Sequence, residues 1–309
     1  MAHKHRLDWL DQARGLAVLA MTAYHFSWDL FSLGLSRLDP VNTTALAFFA
    51  KSIAACFLLL SGFSLVIAHP AAIHWSKVRW RFLWLAGAAA LVSFGSFVLF
   101  PASWIAFGIL HHMALAGLLG LVVLRWPLWA LCALALACLV LPDHARNDAF
   151  NDPVWLFLGL ARRVAPANDY VPLLPWFGFF LIGMIGAKLS PAFLTTPRQT
   201  ALSRPQKLLG FLGRHSLIYY LIHQPVLLGL LNGLLALGLV SPAQNQRLDF
   251  TQACERDCSF DQGDEQMCRR VCGCLFDSLQ STPDILTTAP GQMSPKQEER
   301  LRQAIKQCR

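Results

Sequence analysis

Charge is what this chain has least of. Only 14% of its 309 residues are Asp, Glu, Lys or Arg, against about 25% in an ordinary soluble domain. The 55% hydrophobic share points away from a soluble globular class. No glycine-rich phosphate loop occurs, which removes the nucleotide-binding folds built on one, and no internal repeat occurs. A cleavable signal peptide is not expected either. Asp8, Asp11 and Arg14 interrupt the N-terminal region, and no small-residue cleavage pattern follows.

What is present is apolar length. Ten Trp and twenty-one Phe accompany runs long enough to cross about 30 Å of hydrocarbon. The runs lie near 10–30, 44–68, 82–100, 104–124, 127–142, 173–189 and 214–240. They predict an all-α, polytopic membrane bundle of about seven transmembrane helices. Residues 1–241 form its membrane domain, and residues 242–309 form a separate, polar, cysteine-rich tail.

The net charge of +8 does not argue for nucleic acid, because the basic residues sit in loops flanking the spans. Lys4, Arg6 and Arg14 precede or open the first span. Lys77, Arg79 and Arg81 follow the second, and Arg125 follows the fourth. Lys188, Arg198, Arg204, Lys207 and Arg214 surround the connection from sixth to seventh. With alternating spans these fall on one side, which the positive-inside rule makes cytoplasmic. Arg37, Arg146, Arg162 and Arg163 fall on the other side. The expected topology has the N terminus inside and the tail outside, with anionic lipid head groups as partners of the basic loops.

Ionisable groups inside spans suggest function by default. Arg14 and His25 share the first span, eleven residues and about three helical turns apart. They face one way and lie roughly 16 Å apart. Val18, Met21 and Asp29 continue the stripe, and Asp29 sits one turn past His25, where a carboxylate orients an imidazole. The plainer reading is a snorkelling arginine and a hydrogen-bonded core histidine. The fourth span carries His111-His112, of which one is expected to face the interior. In the seventh, His215, Tyr219 and His223 recur every four residues ahead of Pro225, which should kink the helix. Interhelical hydrogen bonding is the structural alternative there. Lys51 is expected to snorkel. Gly178, Gly183 and Gly186 in the sixth span are expected to admit close helix packing. Cys56, Cys132 and Cys138 read as inert packing residues.

Six of the nine cysteines lie in the tail: Cys254, Cys258, Cys268, Cys272, Cys274 and Cys308. Positions four apart share a helical face. Two short antiparallel helices turning at Gly263 would pair Cys254 with Cys272 and Cys258 with Cys268. Cys274 and Cys308 remain for a third bridge. Disulfides persist in an oxidising compartment, which agrees with a tail outside. Zinc is the alternative, although ribbons favour Cys-x2-Cys and the tail has no histidine. Free redox thiols are a further one. The expected role of the tail is structural: a cap over the bundle or a docking surface for a partner.

Arg14-Gly with His25 and Asp29, then His111-His112, then the run Gly213-Arg214-His215-Ser216-Leu-Ile-Tyr219-Tyr220-Leu-Ile-His223-Gln224-Pro225 resemble the bacterial branch of the heparan-α-glucosaminide N-acetyltransferase catalytic-domain family. The resemblance covers about residues 6–235. It implies an inner-membrane enzyme that takes acetyl from cytoplasmic acetyl-CoA and delivers it to a glycan or amino-sugar acceptor. Arg14, Lys77, Arg79, Arg81, Arg214 and His215 would face the nucleotide end of CoA. His25 would act as general base or carry the acetyl group, with Asp29 holding its tautomer. His111, His112 or Tyr219 would supply an oxyanion donor, beside His223. The tail is no part of that family pattern. The rivals are a proton-coupled transporter, against which the missing inverted repeat counts, and a non-catalytic assembly factor. No metal is expected, and a homo-oligomer or a partner on the tail is compatible with the sequence.

Overall fold

The computed structural model describes residues 7–36, 38–40, 43–164, 167–190 and 202–240, together with 250–308 except 252, 256–257, 259–264, 281, 283–284 and 287–292. Lys4, Arg6, Arg37, Arg198 and Gly263, named above, lie outside the described residues. Those described form no strand, and the chain is a polytopic membrane helix bundle. A bundle of helices is a natural fold for such a sequence, because a helix satisfies its own backbone hydrogen bonds where no water reaches.

The helices are α1 (Asp8–Ser32), α2 (Thr44–Ala68), α3 (Trp75–Leu99), α4 (Ile109–Val123), α5 (Leu128–Ala145), α6 (Leu173–Leu189), α7 (Arg204–Arg214) and α8 (Ser216–Ala236). In the tail they are α9 (Glu265–Leu279) and α10 (Pro295–Cys308). Of these, α2, α3, α5 and α8 are each long and apolar enough to cross a membrane, whereas α4 and α6 are apolar but shorter. The seven expected stretches fall on helices α1–α6 and α8, of which four meet the length and apolarity of a span and α1 does not, and two boundaries differ. First, α3 starts at Trp75 rather than 82, so Lys77, Arg79 and Arg81 lie in its first two turns and not in a loop. Second, the seventh stretch is divided. Its first residues close α7, a separate helix opened by Ser203 and Gln206 in a reciprocal cap with Pro205 near its start. His215 is the junction, so the stripe His215-Tyr219-His223 does not lie on one continuous helix. α8 then runs through Pro225 as a single helix.

The chain divides into two compact units, one of Met1–His25 and Thr44–Val226, the other of Phe26–Thr43 and Leu227–Arg309. In the first, Leu58, Leu131, Phe180, Leu181 and Met184 form the centre of the core. α2 and α6 meet there through glycines in both directions. A methyl on Gly62 would overlap the Phe180 carbonyl, and one on Gly183 would overlap that of Leu59. Gly15 on α1 and Gly213 on α7 do the same, against the backbone of Leu209 and of Asp11. α4 and α6 run parallel with both ends level. The Lys188 ammonium donates to the Trp126 carbonyl at 2.7 Å beyond one end of α4. At the other end, His112 Nδ1 meets the Val171 and Pro172 carbonyls just before α6.

In the second unit Asp29 is fully buried. The tail core is Leu275, Leu279, Ile285 and Ala304. Three disulfides staple it, Cys254–Cys272 and Cys258–Cys268, which the Cys-x3-Cys spacing predicts, and Cys274–Cys308, the pair left over. Such a small core gains from staples. Ser294 and Gln297 cap α10.

Candidate functional site

Two arginines from different helices converge on α2. Arg14 of α1 donates to Ser64 Oγ and pairs with Asp11 at 3.3 Å. Arg81 of α3 donates to Ser61 Oγ at 3.1 Å. Ser61 and Ser64 are buried one turn apart on α2, on a face distinct from the Gly62 contact with α6. Both guanidinium groups line one cavity of about 330 Å³, walled by residues such as Phe57, Leu110, Met113 and Leu217, and reaching Tyr220. That is within the usual size range of a small-molecule site, roughly 300–1,000 Å³, and the mix of an apolar wall with a few fixed polar groups is typical. Neither Arg79, Arg214 nor His215 lines it; all three are exposed. His215 bonds the Phe211 carbonyl at 2.9 Å and packs on the Phe211 ring.

The second cluster pairs His25 of α1 with His223 of α8, ring centroids 5.0 Å apart. Tyr219 stacks beside His223 at 6.1 Å. His223 Nδ1 lies 2.7 Å from the Tyr220 carbonyl. A carbonyl only accepts, so Nδ1 carries the proton and Nε2 holds a lone pair. That Nε2 is buried with no hydrogen-bond partner among the described residues. The same bookkeeping constrains Tyr219. Thr22 Oγ1 donates to the Val18 carbonyl at 2.8 Å, so it accepts from the Tyr219 hydroxyl at 2.9 Å. The tyrosine proton is therefore already committed.

His111 and His112 hold backbone. The Gly108 N–H donates to His111 Nδ1 at 3.2 Å, so Nε2 is protonated and donates to Ser93 Oγ at 3.2 Å. Ser93 in turn donates to the Ile105 carbonyl at 2.6 Å. His112 is fully buried and bonds two carbonyls through Nδ1, each at 3.2 Å.

One site group escaped the sequence reading. Asp169, in the loop before α6, accepts from the Ile109 N–H at 2.9 Å and from the Tyr220 hydroxyl at 3.4 Å, both on Oδ2. Desolvation pushes its carboxyl above the usual carboxylate range, against the pull of those two hydrogen bonds. Nothing in Asn168-Asp169-Tyr170 distinguishes it from the exposed loop acids Asp148 and Asp152.

The described residues form a membrane helix bundle that gathers two arginines at one cavity and two histidines at a second cluster. The family described as heparan-alpha-glucosaminide N-acetyltransferase, catalytic, matches residues 6–225, and the chain belongs to that family. The family implies a membrane acetyltransferase type of activity. The match ends within α8 and leaves the disulfide tail outside it. No curated protein and no solved structure matches the chain.

Proposed function

We propose that the chain transfers an acetyl group from acetyl-CoA to a hydroxyl or amine of a sugar or glycan acceptor at the inner membrane of a bacterium, with the N terminus cytoplasmic and the tail outside. The single observation that carries the reading is the convergence of Arg14 and Arg81 on one apolar-walled cavity. Phosphates favour the planar donor fork of arginine, and the apolar wall suits a thin arm. Acetyl-CoA is here the donor substrate. Its phosphates would meet Arg14 and Arg81, with Arg79 and Arg214 as exposed charges near the same membrane face.

His25 then serves as general base with His223 beside it. The acceptor O–H or N–H proton passes to the imidazole as the acceptor atom attacks the thioester carbonyl. The C–S bond breaks, and the thiolate leaving group takes the proton back from the ring. The open Nε2 lone pair of His223 shares the positive charge that His25 gains in between, and Asp29 one turn on adds a negative charge on the same helix.

The test is acetyl transfer from labelled acetyl-CoA to a sugar acceptor by the purified full chain. Wild-type protein should bind CoA and release acetylated sugar, and His25→Ala should retain CoA binding while losing turnover. A protein that binds no CoA and transfers no acetyl would be a carrier or an assembly factor instead.

A further inference from the structure

The polar groups of the cavity differ in kind. Arg14 and Arg81 only donate hydrogen bonds. Tyr220, on the same cavity, behaves differently because of Asp169 behind it. Asp169 Oδ2 already takes the Ile109 amide, which can only donate, and it also takes the Tyr220 hydroxyl. The phenol proton is directed at the carboxylate, so the phenol oxygen is left with its lone pairs. The carboxylate is also fixed in place beforehand. On either side of it, the Asn168 N–H donates to the Ser103 carbonyl at 3.0 Å and the Val171 N–H to the Phe107 carbonyl at 3.2 Å. His112 holds the Val171 and Pro172 carbonyls from α4. A methyl on Gly108 would overlap the Asp169 carboxylate, so the approach is tight.

We infer that Tyr220 is a hydrogen-bond acceptor of the cavity, beside the Ser61 and Ser216 hydroxyls, and that Asp169 is its positioning residue. Together they read an N–H on the ligand segment that lies between the arginines and the far wall. This rests on the reading of the cavity as a CoA site. In CoA that segment is the pantetheine arm, whose two amides each present an N–H and a carbonyl and whose chain also carries one hydroxyl. A largely apolar wall carrying a fixed acceptor complements it, and a group ordered before binding adds affinity without an ordering cost.

The experiment is calorimetric titration of the full chain, purified in detergent, with two ligands. One is CoA; the other is phospho-ADP, its nucleotide half without the arm. Tyr220→Phe should weaken CoA by roughly threefold to tenfold, the scale of one neutral hydrogen bond, and leave phospho-ADP unchanged. Asp169→Ala, which removes the oxygen that takes the phenol proton, should move CoA alone in the same direction, and it decides the matter if Tyr220→Phe does not fold. Arg14→Ala should weaken both ligands. Wild-type protein that binds neither ligand would sink the CoA reading and this inference with it. Tight CoA binding that neither Tyr220→Phe nor Asp169→Ala alters, or an equal loss on both ligands, would overturn the inference and leave the CoA reading standing.

Discussion

His25 and His223 face each other across the gap between α1 and α8, ring centroids 5.0 Å apart and planes tilted by 58°. Their separation in sequence is nearly two hundred residues, so the pair exists only in the folded chain. Acting as one unit, they should give strongly non-additive losses. His25→Ala should lower acetyl transfer by roughly a hundredfold or more, the scale for a general base. The double variant with His223→Ala should lose little beyond that. Initial rates of the three variants check this; near-normal turnover in folded His25→Ala would remove it from the chemistry.

CoA affinity should rank the arginines by where they point. Arg14→Ala and Arg81→Ala should each weaken binding by about tenfold or more, since a hydrogen bond to a charged group contributes about 1.5–3 kcal/mol. Arg79→Ala and Arg214→Ala change exposed charges and should cost severalfold at most, a loss that fades with added salt. Titrations at two ionic strengths separate the groups.

Packing supplies the third prediction. Gly62→Ala or Gly183→Ala forces a methyl against backbone carbonyls of the facing helix, and backbone cannot swing aside. Overpacking of this kind costs about 1–3 kcal/mol or more, so thermal unfolding in detergent should come several degrees earlier. Gly87→Ala on α3 meets nothing within 4 Å and should be neutral or stabilising by up to about 1 kcal/mol. Equal melting temperatures for Gly62→Ala and Gly87→Ala would contradict the packing argument.

In the tail, peptide mapping without reduction should recover Cys254–Cys272, Cys258–Cys268 and Cys274–Cys308. Replacing both Cys274 and Cys308 by Ser should destabilise the tail by about 2–4 kcal/mol, seen as faster proteolysis near α10, with acetyl transfer by the bundle retained. Free thiols in protein from the native membrane would contradict both the bridges and an outside location.

Much of this was legible in the sequence because hydrophobic length and cysteine periodicity are local signals. α2 and α6 match their expected ranges, and the tail pairing follows from two Cys-x3-Cys spacings. The start of α3 was missed because Lys77, Arg79 and Arg81 lower the local hydropathy of residues that are nonetheless helical. The division at His215 was missed because apolar character continues across it, although Ser203-Arg-Pro-Gln206 is a legible helix start. His25 and His223 stood out singly as polar groups in apolar runs, but their pairing is tertiary. Asp169 was invisible, since an acid in a polar loop looks the same whether it faces solvent or caps a buried helix.

α4 has 15 residues and α6 has 17, about 22 Å and 25 Å of helix, less than the roughly 30 Å of a bilayer interior. Lys188 and Trp126 tie them together at one end, and His112 with the Val171 and Pro172 carbonyls ties them at the other. Irregular backbone, not helix, occupies residues 167–172 just ahead of α6. A pair of helices this short spans less hydrocarbon than α2 or α3, each of 25 residues, can.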